Sequence, residues 1–211
     1  MIKQFITTVL AVGTVFTATA QEQAQPDVNM QPRFGVKAAL NMSTYDYEGF
    51  TTELTPSRTW MVGGIADIPL SRAFFIGTGI EVASKGAKRT TEVATISATP
   101  IYLQVPVKIN YSTSNWNFGV GPYFGYGIAG EFSATALGLT QSESIKFDDN
   151  DPDGMSPFDI GICAEVGFTY DNFRFGGHLY NGLSNTLPKV ARSNDSYISN
   201  FQVGVMIGYM F

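Results

Sequence analysis

The densest run of ligand-type side chains is Asp149-Asn150-Asp151-Pro152-Asp153-Gly154. Its D-x-D-x-D-G spacing is that of the opening of a calcium loop, where alternate oxygens wrap a hard cation and the glycine permits a sharp turn. Such a loop needs a bidentate carboxylate at its twelfth position. Here that position is Ile160, and the fourth is Pro152. Asp149, Asp151 and Asp153 are therefore weak calcium candidates, and the segment reads better as a solvated acidic loop. His178 is the only histidine and no serine-nucleophile motif accompanies it, so it reads as structural. Cys163 is the only cysteine and has no disulfide partner within the chain. No catalytic residue, cofactor or resident metal is expected, and the chain is expected not to be an enzyme.

The elements that position these residues are strands. The formal net charge of −5 argues against nucleic acid as a partner. No stretch approaches the roughly 20 apolar residues that a spanning helix needs, while 22 glycines and 13% aromatics together suit a barrel. Lys3, an apolar run over 5–16 and then Thr17-Ala18-Thr19-Ala20 have the order of a secretion signal. Residues 1–20 are thus expected to be a signal peptide cut after Ala20, 21–32 a flexible leader, and 33–211 a single barrel domain.

From Phe34 onward the chain alternates with period two in eight runs, beginning near 34, 60, 74, 101, 116, 158, 173 and 201. The fourth is the cleanest: Ile101, Leu103, Val105, Val107, Ile109 and Tyr111 alternate with Tyr102, Gln104, Pro106, Lys108 and Asn110. Short turns at Ser71-Arg72, 112–115 and Asp171-Asn172 alternate with long links over 43–57, 87–99, 130–157 and 185–197. The expected fold is all-β, an eight-stranded antiparallel up-and-down transmembrane β-barrel.

A soluble sandwich would also alternate, so the second face decides. That face is rich in glycine, which relieves crowding inside a narrow closed barrel but weakens a water-facing strand. Strand charges fall on it too, Lys85 and Asp159 among them. The apolar face carries none, and a mid-membrane Lys or Arg there would cost about 2–4 kcal/mol. Aromatic residues cluster at both ends of the strands, as two interfacial girdles require. The inward charges Lys37, Asp67, Glu81, Lys108, Glu165 and Arg174, with His178, are expected to form a lumenal network. Counting back from the Asp171-Asn172 turn puts Glu165 directly opposite His178.

The stretches Phe34-Gly35-Val36-Lys37-Ala38-Ala39-Leu40-Asn41, Tyr102-Leu103-Gln104-Val105-Pro106-Val107-Lys108 and Leu179-Tyr180-Asn181-Gly182-Leu183-Ser184-Asn185 resemble the PorT-like outer-membrane barrel family over about residues 33–211. The resemblance implies an eight-stranded barrel in the bacterial outer membrane, and one branch of that family is linked to protein secretion and gliding. The terminal Phe211, after alternating apolar residues, looks like the signal read by barrel-insertion machinery. Expected partners are membrane lipids, that machinery, and an extracellular or envelope protein. Eight strands leave an interior only wide enough for side chains, so a general porin is not expected. A structural or surface-interaction role through the outer loops is the leading expectation. A component of an envelope transport, secretion or assembly machine is the alternative.

Overall fold

The structure is a computed structural model and describes residues 31–48, 54–91, 93–192 and 197–211. The expected signal peptide and residues 21–30 of the expected leader lie outside the described residues. The strands are β1 (Arg33–Glu48), β2 (Thr55–Pro69), β3 (Phe74–Thr78), β4 (Glu81–Ser84), β5 (Ala87–Thr90), β6 (Ala94–Thr113), β7 (Trp116–Ala136), β8 (Leu139–Ser144), β9 (Phe158–Tyr170), β10 (Phe173–Gly182) and β11 (Tyr197–Met210). Strands β3, β4 and β5 succeed one another along one stave, each lying between β2 and β6. β8 pairs only with the upper part of β7. Eight staves remain. The ring closes because β1 pairs with both β2 and β11 while β6 pairs with β7, and every ladder is antiparallel.

Closure matters because lipid offers nothing to an open sheet edge. Within the ring the faces are those that period two dictates. Ile80, Val107, Val120, Phe124, Ile160 and Val205 are exposed on the outside, where lipid tails cover them. Lys37, Asn41, Met61, Tyr102, Gln104, Tyr123 and Tyr180 are buried in the lumen. No helix among the described residues is long and apolar enough to cross a membrane, so strands make the crossing.

The lower turns are tight. Ser114 and Asp171 adopt φ of 50° and 54°, a left-handed conformation that reverses the chain within two residues. The upper connections differ from expectation. Much of the expected links 87–99 and 130–157 is strand: β5 and the first part of β6 in one, the last part of β7 and β8 in the other. β6 and β7 have 20 and 21 residues, about twice the 9–11 that cross a bilayer. Their upper ends therefore stand outside the membrane, with β5 and β8 on either flank.

Candidate functional site

The lumen is filled from the periplasmic end upward. Lowest, Arg174 on β10 bonds Asp67 on β2 at 2.5 Å, and its guanidinium lies 6.0 Å from the Phe75 ring. Beside them Asn110 occupies the space left by Gly77 and Gly119; a Cβ at either glycine would collide with its amide. The next layer is a chain of charges. Lys37 reaches Glu81 at 2.5 Å and Glu165 at 3.5 Å, and Glu165 also takes a close bond from Lys108. Gln104 Nε2 and the Tyr180 hydroxyl both donate to Glu81 Oε2, at 2.7 and 2.9 Å. The void among these groups is about 10 Å³, room for about one water.

Above the charge chain is a small apolar belt of Ala39, Met61, Ala83, Cys163 and Met206. Cys163 Sγ donates to the Gly121 carbonyl at 3.3 Å. The register is the one counted from the turn, with Tyr170 opposite Phe173 and Glu165 opposite His178. The side chains nevertheless take hydrogen-bond partners other than each other. His178 Nε2 lies 2.8 Å from Asn41 Oδ1 over Gly204 of the intervening β11, and Glu165 turns to the two lysines. An ammonium group offers a carboxylate a full charge, and both lysine stems are long enough to reach it.

The uppermost lumenal group is Lys85 with Asp159, 2.6 Å apart and both completely buried. Tyr123 donates to Asp159 Oδ1 at 3.1 Å. Lys85 Nζ also lies 4.4 Å from the Tyr123 ring centroid and 5.6 Å from those of Tyr102 and Tyr180, so three π faces and one carboxylate surround the ammonium. Inward parity was readable for both residues. Their pairing was not, because it requires knowing which staves face each other across the lumen. Four cations, Lys37, Lys85, Lys108 and Arg174, thus meet four carboxylates, Asp67, Glu81, Asp159 and Glu165. Among the described residues the paired lumenal charges balance.

A cap closes the outer mouth. Phe147, between β8 and β9, enters the space left by Gly127 and meets the Tyr102 ring edge-on at 5.6 Å. Asp149 ties this segment to the last loop through Lys189 at 3.0 Å and Arg192 at 4.0 Å. Partial burial pushes the Asp149 carboxyl up, but Lys189, Ser156 and Arg192 outweigh it and hold the group below the usual carboxylate range. Asp151 takes Lys146 at 3.4 Å and accepts the Asp153 backbone N–H at 3.0 Å. No group of three His, Cys, Asp or Glu side chains fit to hold a metal occurs among the described residues. The three calcium candidates are not gathered round a common point, and Asp149 is already neutralised by cations.

The family model for the outer membrane protein beta-barrel domain matches residues 20–188. The chain belongs to this family. As an outer membrane barrel it resides in the bacterial outer membrane, with its short turns toward the periplasm. The search of curated proteins gave no match. Among solved structures, the attachment invasion locus protein Ail of Yersinia pestis is similar in fold at 12% identity and a TM-score of 0.50, covering 86% of this chain and 100% of that one. Neisserial surface protein A gives 7% identity and a TM-score of 0.46 over 85% and 97% of the two chains.

Proposed function

We propose that this outer membrane barrel works at its extracellular end, as a structural or surface-interaction protein and not as a general porin. The observation that carries the reading is the tip of the external sheet. β7 and β8 are joined by Leu137-Gly138, with φ of 51° and 79°. This is the two-residue turn in which Asn-Gly is the favoured pair. A leucine there is strained and is 93% exposed, with Leu139 beside it at 78%. A bulky apolar side chain held in an unfavourable conformation and in water suggests a contact made by that side chain. Among the described residues β8 pairs only with β7, so its outer edge presents backbone donors and acceptors beside it. The charge-balanced, capped lumen supports the exclusion of a porin. The reading assigns no catalysis and no cofactor, since His178 and Cys163 are both engaged in structural bonds.

The reading includes export with cleavage near Ala20, and insertion through the last strand ending in Phe211. A second reading, a component of an envelope secretion or assembly machine, draws on the resemblance of the quoted motifs to the PorT-like family. Co-purification from native outer membranes tests both. A partner whose recovery falls at least tenfold in Leu137→Asn, with the barrel folded, supports the surface-interaction reading. A stoichiometric assembly indifferent to Leu137 favours the machine. Recovery of the barrel alone, unchanged by the substitution, contradicts both.

A further inference from the structure

The strand that carries the exposed tip has one side without a partner strand among the described residues. The hairpin closes with Ala136 opposite Leu139, and from there alternate residues of β8 direct their main-chain groups to β7. The Ile145 N–H keeps that phase, donating to the Gly130 carbonyl at 3.0 Å. Leu139, Gln141, Glu143 and Ile145 are thus turned to β7, while the N–H and C=O groups of Thr140, Ser142 and Ser144 point away from it. Every residue of β8 is exposed. The open stretch ends at Lys146, whose carbonyl accepts the Met155 N–H at 2.8 Å. Edges left in water are usually guarded by lysine, proline or a bulge. Leu139–Ser144 has none of these, and its one charge is Glu143.

We propose that this edge pairs antiparallel with the same edge of a second copy, held in a facing membrane. Opposed residues in such a ladder are either both bonded across it or both turned away, so a two-fold axis passes through a residue and not between two. An axis through Ser142 engages the whole open stretch: Ser142 meets its own counterpart, and Thr140 meets Ser144. The Gln141 amide then falls opposite the Glu143 carboxylate, and Leu139 opposite Ile145. Each pair is matched, hydroxyl with hydroxyl, donor with acceptor and apolar with apolar. An axis through Gln141 would set Leu139 against Glu143, and one through Glu143 would set two carboxylates face to face. An axis through Thr140 or Ser144 would leave part of the open stretch unused. The edge is complementary to itself in one register, which is what a second copy requires. Gly138 faces Lys146 in that register, so Leu137 lies at the end of the paired edges.

Symmetry fixes where the second copy stands. The axis of an edge-to-edge antiparallel pair is perpendicular to the sheet. β6 and β7 run unbroken from the barrel wall into the external sheet, so that sheet stands upright and its perpendicular lies along the membrane plane. Rotation about such an axis inverts the membrane normal, and two copies in one membrane cannot pair this way. Ser133, the β7 partner of Ser142, stands above Tyr126 of the outer aromatic girdle by about 18 Å, taking about 3.3 Å per residue and a tilt of about 40°. Facing hydrocarbon layers would then lie about 36 Å apart, and two headgroup layers occupy about 10–15 Å of that. This pairing rests on the reading of the tip as a contact site, and in co-purification its partner is a differently tagged copy from mixed cells.

For the test, the full barrel is folded into phosphatidylcholine vesicles carrying one of two fluorophores. Two-colour clusters are counted, with heat-dependent gel mobility as the folding control. Parent vesicles are expected to cluster at least tenfold over protein-free ones, with facing hydrocarbon layers about 36 Å apart in electron cryomicroscopy. Ser142→Pro removes an N–H of the open edge and spares the β7 ladder, so it should fold and cluster at least tenfold less. Gln141→Glu sets carboxylates opposite each other and should abolish clustering with itself. Mixed with Glu143→Lys vesicles it should cluster again, because each carboxylate then faces an ammonium or an amide. Parent vesicles that stay dispersed, Ser142→Pro vesicles that cluster as the parent does, or a mixture no better than Gln141→Glu alone would overturn the proposal. Leu137-dependent capture of a different protein, with parent vesicles dispersed, would overturn the self-pairing and leave the surface-interaction reading standing.

Discussion

Replacing Lys85 by methionine should destabilise the barrel severely, and replacing its partner as well should largely restore it. Lys85 and Asp159 sit 2.6 Å apart with no solvent exposure. Removing the cation leaves the carboxylate in a site that water does not reach. Breaking such a pair costs about 3–5 kcal/mol. The Tyr123 hydroxyl still donates to Asp159, which places the expected loss near the lower end, about 3 kcal/mol. That corresponds to a factor of roughly 10² in the ratio of folded to unfolded barrel. In the double variant Lys85→Met, Asp159→Leu no buried charge is left, and apolar replacements of buried pairs are often near neutral. It should lie within about 1–2 kcal/mol of the parent, giving a coupling of opposite sign to the single effects. Urea-driven unfolding in phosphatidylcholine vesicles, followed by the fluorescence of Trp60 and Trp116, measures all members of the cycle. A Lys85→Met barrel within about 1 kcal/mol of the parent, or a double variant as unstable as the worse single one, would refute the reasoning.

Val120→Arg puts a cation among lipid tails and should cost about 2–4 kcal/mol, whereas Thr140→Arg, outside the membrane, should cost almost nothing; the same unfolding assay compares them. Gly121→Ala should also destabilise, by about 1–3 kcal/mol, because its Cβ would collide with the Val107 carbonyl oxygen. Its cost should not vary with bilayer thickness, unlike that of Val120→Arg. The cap should respond to acid in one direction only. Asp149 is held below its unfolded value, so its contribution is fully present above the ordinary aspartate range near pH 3.9 and is lost as pH falls through the lower folded value. Hydrogen exchange over 145–157 should therefore be unaffected by that group between about pH 8 and 5 and accelerate only in stronger acid. Asp149→Asn should remove that acid step.

The barrel was readable because a membrane imposes one rule along each strand, and Ile101 to Tyr111 obeys it without exception. The rule stops at the membrane surface, and the reading stopped with it. Above Ile101 the outward positions become Thr and Ser while Ile96 and Phe132 turn to the other face. A search for outward apolar residues therefore finds loops where β5, β8 and the upper parts of β6 and β7 stand. Within the lumen, parity alone assigned Lys37, Lys85, Lys108, Asp159 and Glu165 to the inside, since alternation is local. Partners on strands that are not adjacent are not local. His178 lies beside Glu165 in register yet bonds Asn41, 137 residues away in sequence, and Asp159 meets Lys85, 74 residues away. Such pairs depend on the closure of the ring and on side-chain reach, neither of which a strand-by-strand pattern contains. The acidic loop, read as solvated with only weak calcium candidates, shows the same limit from the other side. Ligand spacing is local, but the cations that occupy Asp149 come from Lys189 and Arg192 in another loop.

Conductance tests the central claim, a barrel closed by its own paired charges and tyrosines, most directly. The full protein, folded and inserted into planar bilayers, should show no steady porin-sized current at either polarity, because the void among the lower charges is about 10 Å³ and Phe147 covers the upper mouth. Large, stable, ohmic channels from the same preparation would contradict it.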